Sequence, residues 1–342
     1  YKEYFSSGKN MLEGQLKGLK WLYENVKSDH YQILISPVFA YVSEAETFGA
    51  EVEYRDNDIP WVKKHCVENE DDLKKLEKID FIHSGIHGRE VRFREEMMKI
   101  AGSYKIRFKD GVETGIEDKI KLGLHNYSYA SGIPGIGVAG GTIGTMLNAN
   151  DIRGSENIMI DLYEAPQFAA RLLEIITDKI IQWVEYSKQV CGDPKEGVFI
   201  GDDGAANLSP KMYEEFLLPH HKRMKAHFGG YTTFHADAKG HHLFPYLADE
   251  LKVDDFSGFS YLDDKKLTAD TFGGKTVLCG NINPMNLETG TKESVMEECR
   301  DAIEHFAPYS GFFLKDGDNI TPNTPLENIN ALHEAAEKYG RY

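Results

Sequence analysis

Short apolar runs alternate along this chain with longer stretches in which apolar residues recur three or four positions apart. The runs predict strands at Tyr31–Ser36, Gly135–Ala139, Gly197–Gly201, Tyr231–Ala236, Asp254–Gly258, Thr276–Gly280 and Gly311–Leu314. The helical spacing predicts helices over Asn157–Val190, Pro210–Phe228, His241–Leu251, Lys292–Phe306 and Leu326–Tyr339. Ser209-Pro210 and Thr324-Pro325 each set a capping side chain before a proline, as helix starts prefer. Strand–helix repetition without hairpin signals predicts a parallel α/β sheet. From Gly135 onward the element count suits one large barrel. With no internal repeat and no low-complexity linker, residues 1–342 are expected to form a single domain.

Residues 50–130 break the pattern. They are dense in charge (Glu68, Glu70, Asp71, Asp72; Arg89, Arg92, Arg94, Glu95, Glu96) and weak in strand signal, which predicts a solvated helical decoration or lid.

Composition narrows the classes. The 342 residues are 41% hydrophobic and 11% aromatic, enough for a packed core and incompatible with disorder or collagen. Lys and Arg number 39 against 55 Asp and Glu, a net charge of −16. That balance argues against a nucleic-acid partner, whose phosphates demand a basic footprint, and against an anionic membrane surface. No apolar run approaches the ~20 residues of a membrane helix, and Tyr1, Lys2 and Glu3 do not open a signal peptide. The four cysteines, Cys66, Cys191, Cys279 and Cys299, are scattered and form no CxxC pair. They are expected to be reduced thiols of a cytoplasmic protein.

Candidate chemistry collects at predicted strand ends. Phe234-His235-Ala236-Asp237 closes one strand, and residues two apart in a strand face the same side. His235 and Asp237 therefore project together, as half of a metal site, as an acid/base pair, or as a structural hydrogen-bonded pair. Cys279 ends another strand before Gly280-Asn281, either as a soft metal ligand or as a small core residue. Asp202 and Asp203 follow Val198-Phe199-Ile200, and Asp316-Gly317-Asp318-Asn319 follows the last strand as a site or an Asx-rich turn. His241 and His242 can lend a donor to the mouth, whereas His220 and His221 read as packed or exposed helix residues. Gly140-Gly141-Thr142-Ile143-Gly144 lacks the Lys-Ser/Thr of a phosphate loop.

In this order the signatures resemble the uroporphyrinogen decarboxylase superfamily. The matching pieces are Phe48-Gly49-Ala50-Glu51-Val52, Ile160-Asp161-Leu162-Tyr163, Gly201-Asp202-Asp203, Ser209-Pro210-Lys211-Met212-Tyr213 with Leu218-Pro219, Gly280-Asn281-Ile282-Asn283-Pro284, and Ile320-Thr321-Pro322-Asn323-Thr324-Pro325-Leu326-Glu327-Asn328. The resemblance implies an α/β fold, a (β/α)8 TIM barrel with extra N-terminal helices and the site at the C-terminal ends of the strands. It also frames two functions. The decarboxylases are metal-free, with an Arg-Gln-Ala-Gly-Arg segment and an acid on an early strand. Neither matches here, since Ser36-Pro37-Val38-Phe39-Ala40-Tyr41 carries no acid.

The cobalamin-dependent methyltransferase branch resembles the chain more closely. Its coenzyme M methyltransferases carry a His-x-Cys pair where His235–Asp237 stands, and a second Cys near Asp318. Carboxylates in place of thiolates imply a harder site, still suited to Zn²⁺. The resemblance thus implies His235, Asp237 and Asp318 as metal ligands, with Cys279 as the alternative. Asp202, Asp203 and Asn281 would orient substrate, beside Phe234, Tyr261 and His241. The expected reaction is methyl transfer between an aromatic methyl ether and cobalamin supplied by a partner corrinoid protein, with a homodimer left open. A metal-free decarboxylase acting on a tetrapyrrole or another carboxylate is the alternative.

Overall fold

The computed structural model describes the chain except residues 30–33, 40–41, 57, 117–119, 125–140, 310, 318 and 342. The predicted strand at 135–139 and the first part of that at 31–36 therefore fall outside the described residues, as does Asp318. Contacts divide the chain into two compact units. The first holds Tyr1–Glu24, Gln32–Tyr127 and Gly140–Lys195, and the second holds Asn25–Tyr31, Ser128–Ala139 and Glu196–Tyr342.

The first unit is mainly helical. Its N-terminal helix, Gly8–Asn25, buries Met11, Leu12 and Leu16 against Ile35, Phe39, Ile86 and Met97. Within 50–130 the helices Glu70–Lys78 and Gly85–Ala101 accompany two antiparallel ribbons, Glu51–Glu53 with Trp61–Lys64 and Lys105–Arg107 with Glu113–Gly115. The ribbons correct the expectation of no hairpins. Their strands are three or four residues long and mostly polar, so they carry no alternating apolar signal. The single helix expected over Asn157–Val190 is two helices, Ser155–Glu164 and Pro166–Cys191. Pro166 cannot continue a helix from upstream but suits the first turn of a new one.

A buried acid in this unit sets a pH dependence. The Glu44 carboxyl accepts from Thr142 Oγ1 at 3.2 Å, from the Asn148 amide and from the Ile143 N–H. Burial outweighs these donors and pushes it from its ordinary 4.5 up to about 7. The folded protein keeps a proton there that the unfolded chain releases, so stability falls as pH rises from about 4.5 to about 7. One group shifted this far contributes roughly 3 kcal/mol. Glu44→Gln is expected to flatten that part of the stability–pH curve in urea titrations, leaving a smaller slope from Asp151, which burial raises to about 6. An unchanged curve contradicts the assignment.

In the second unit five strands run parallel: β1 (Val198–Gly201), β2 (Thr232–His235), β3 (Asp255–Ser257), β4 (Val277–Ile282) and β5 (Phe312–Asp316). They pair in chain order. β1 and β3 are wholly buried, as parallel strands covered on both faces are. The helices Lys292–Phe306 and Leu326–Tyr339 have the predicted bounds. After β1, Ser209 caps Pro210–Met212 through the Met212 N–H, a π-turn spans Tyr213–Leu217, and Leu218–Phe228 continues as α-helix. The expected helix over His241–Leu251 forms, starting as a 3-10 turn, His241–Leu243, and passing through Phe244-Pro245 into a π-helical stretch, Tyr246–Leu251. Among the described residues no helix is long and apolar enough to cross a membrane.

Candidate functional site

Register fixes which side chains meet. Gly201 of β1 and Ser257 of β3 both pair with His235, so the last residues of three neighbouring strands lie level. The residues just beyond them, Asp202-Asp203, Ala236-Asp237 and Gly258, gather at one edge. Backbone bonds lock this arrangement: the Asp202 N–H donates to the His235 carbonyl at 3.0 Å, and the Asp237 N–H to Asp203 Oδ1 at 3.1 Å.

There Asp203, His235 and Asp237 converge, with one ligand atom from each lying within 4.8 Å of the others. His235 Nε2 is 3.8 Å from Asp203 Oδ1, and all three residues are half-buried. Burial raises the Asp203 carboxyl above its ordinary range, against the pull of the His235 imidazole. The imidazole is held on two sides. Phe199, diagonal to it on the same face, stacks with its ring centroid 6.0 Å away, and Gly258 lies against the other side. Gly258 has φ +67°, and a Cβ there would fall 2.5 Å from His235 Nδ1, so both backbone and ring require glycine. One imidazole nitrogen and two carboxylate oxygens match the three-donor count of catalytic zinc sites, which leave a fourth position open.

A model of the uroporphyrinogen decarboxylase (URO-D) family matches residues 124–339. The chain belongs to this family. It is 26% identical over 215 residues to a methylcobamide:CoM methyltransferase, MtaA, of Methanosarcina barkeri, covering 60% of this chain and 59% of that protein. It is 27% identical over 191 residues to a uroporphyrinogen decarboxylase of Dechloromonas aromatica, covering 54% of this chain and 52% of that protein. The chain thus spans between about half and three-fifths of the length of these relatives. A methyltransferase from Methanosarcina mazei superposes with a TM-score of 0.68 at 18% identity, over 100% of this chain and 88% of its own. The fold class is the α/β, TIM-barrel type expected from the strand–helix alternation.

Within this URO-D fold the remaining candidates divide. Asp203, expected to orient substrate, stands with His235 and Asp237 as a third donor. What joins them is the pairing of β1 with β2, which sets Gly201 beside His235 and which no spacing in the sequence states. Asp202 does not reach the cluster. Fully buried, its carboxylate accepts from His221 Nε2 at 3.0 Å on the helix side. Both residues lie beyond β1, and Asp203 opens the 3-10 turn Asp203–Asn207, so the chain turns between the two carboxylates.

Strand alternation within β2 corrects Phe234, which is fully buried on the opposite face from His235. Its ring packs on His221 at 5.3 Å and Phe256 at 6.2 Å and cannot line a substrate site.

Cys279 shares the face of His235 but lies on β4, two strand spacings of ~4.8 Å away, and is not in the cluster. Its thiol is buried with Sγ 3.6 Å from Asp255 Oδ2, and burial pushes its pKa strongly up, away from the thiolate that metals bind. His241 is half-exposed, its Nδ1 3.4 Å from Asp263, whose carboxylate also accepts from the Gly240 and His241 N–H groups. Tyr261 is half-buried in the turn after β3. Asn281 is 2% exposed; its Nδ2 donates to the Ser260 carbonyl at 3.3 Å, while its Oδ1 has no partner among the described residues.

Proposed function

We propose that this URO-D family member is a methyltransferase that moves a methyl group between a small substrate and a corrinoid carried by a partner protein. The observation that carries the reading is the convergence of Asp203, His235 and Asp237 at the C-terminal ends of adjacent parallel strands, where sites of this fold class lie. A relative named as a methylcobamide:CoM methyltransferase supports it. The donor set fits zinc, with Asp203, His235 and Asp237 as the holding residues. Held by these residues, a zinc ion would supply Lewis acidity to the oxygen that gives up the methyl group.

The chain's own residues do the rest. Gly258 and Phe199 fix the plane of the His235 ring, and the Asp237 N–H fixes Asp203. Tyr261, half-buried in the turn after β3, offers an aromatic face to a substrate. Oxygen donors in place of thiolates favour a methyl ether over a thiol as the substrate, and an aromatic ether gives the better leaving group.

The test is a panel of aryl methyl ethers and methylated thiols incubated with the protein and cob(I)alamin. The reading expects loss of the cob(I)alamin spectrum with at least one ether, and none with Asp203→Ala. No turnover across the panel, together with release of CO₂ from porphyrinogen carboxylates, overturns it. That second reading, a metal-free decarboxylase, draws on the relatives named as uroporphyrinogen decarboxylases and on an imidazole set beside two carboxylates, an acid/base arrangement that needs no metal.

A further inference from the structure

Beneath the three-donor cluster lies a chain of polar groups that no solvent reaches. Tyr213, His221 and Asp202 are each 0% exposed. Tyr213 Oη lies 3.1 Å from His221 Nδ1, and His221 Nε2 lies 3.0 Å from Asp202 Oδ2. With the hydroxyl donating to Nδ1, the Nε2–H donates to the carboxylate, and both ring nitrogens are satisfied. The three residues come from three elements: the end of β1, the π-turn Tyr213–Leu217 and the helix Leu218–Phe228. Aromatic packing holds the ring from the sides, with Phe234 5.3 Å away.

Burying a carboxylate and an imidazole is costly unless each is paired, so such a chain is expensive as mere filler. Its far end explains its place. Asp202 is tied at both ends, through its side chain to His221 and through its N–H to the His235 carbonyl, and Asp203 is the next residue. With Asp202 turned into the helix layer, Asp203 is turned out toward His235 and Asp237.

We propose that Tyr213 and His221 are positioning residues for the donor cluster. They form a buried strut that clamps Asp202 against the helix and thereby sets where Asp203 meets His235 and Asp237. The proposal rests on the reading of that cluster as a metal site, and it assigns the strut to ligand geometry rather than to fold stability alone.

The test is Zn²⁺ affinity measured by competition with a chromophoric chelator, with the visible spectrum of the Co²⁺-loaded protein as a report on ligand geometry. His221→Leu is expected to weaken Zn²⁺ binding by about 10- to 100-fold, the usual effect of losing a group that orients a ligand. His221→Gln, which keeps an N–H donor for Asp202, is expected to retain most of the affinity. Tyr213→Phe, which frees the ring to change its donor pattern, falls between them and alters the Co²⁺ spectrum. In an Asp203→Ala background His221→Leu has no further effect, because the ligand it positions is gone.

Should His221→Leu fail to fold, Tyr213→Phe and its combination with Asp203→Ala decide the matter. Folded strut variants with wild-type affinity and an unchanged Co²⁺ spectrum overturn the strut while leaving the metal site standing. Effects that simply add to those of Asp203→Ala also overturn it. Wild-type protein that binds neither ion overturns the metal reading and the strut with it.

Discussion

His235→Ala is expected to lower the affinity for Zn²⁺ by more than about 100-fold, and the proposed methyl transfer with it. The imidazole is the one nitrogen donor of the cluster, level with Gly201 and Ser257 and 3.8 Å from the Asp203 carboxylate. Losing a residue that only orients a ligand already costs about 10- to 100-fold in affinity; removing the ligand itself costs more. The two carboxylates that remain make a harder and less complete set, poorly matched to zinc. The side chain is half-buried and stacks on Phe199, so the thermal midpoint is expected to move by only a few degrees. A chelator competition and a melting curve on the same preparation separate the two effects. Wild-type affinity in the variant removes His235 from the site.

Gly258→Ala damages the same site from behind, without touching a donor. Its φ of +67° costs an L residue about 1–2 kcal/mol. The added Cβ also falls 2.5 Å from Nδ1 of His235 and closer still to Cε1, so either the ring or the strand must move. Overpacking of this kind adds about 1–3 kcal/mol. The expected result is a stability loss of about 2–5 kcal/mol together with a weaker metal site, because the imidazole leaves its plane. A control at another positive-φ glycine isolates the ring clash: Gly274, at φ +72°, has open space where a Cβ would go. Gly274→Ala is expected to carry the backbone cost alone and to leave Zn²⁺ affinity at the wild-type level. Equal effects at the two positions would deny Gly258 any role in holding His235.

Much of this architecture was legible in the residues. The strands of the second unit fall within two residues of the apolar runs that announce them, since buried parallel strands read as continuous apolar segments. The last two helices match because Thr291 gives one a cap and Pro325 immediately precedes the other. His235 and Asp237 were legible as a pair because strand periodicity is local.

What lay beyond reach was whatever depends on register between strands. No spacing says that Gly201 stands beside His235, so Asp203 looked like a substrate contact and Cys279 like a ligand. Only β3, interposed between β2 and β4, removes the thiol. Phe234 is excluded for a different reason: its neighbour faces the site, so the same alternation that selects His235 turns Phe234 into the core. The Asp202–His221 bond was invisible because 19 residues and a change of element separate its ends.

Metal stoichiometry across four purified proteins tests the central claim most directly. Elemental analysis after loading with Zn²⁺ and desalting is expected to give about one zinc per chain for wild type and for Cys279→Ala. Asp203→Ala and Asp237→Ala are expected to lose it. Zinc-free wild-type protein, or zinc lost on replacing Cys279 and kept on replacing Asp203, would contradict the site described by these strands.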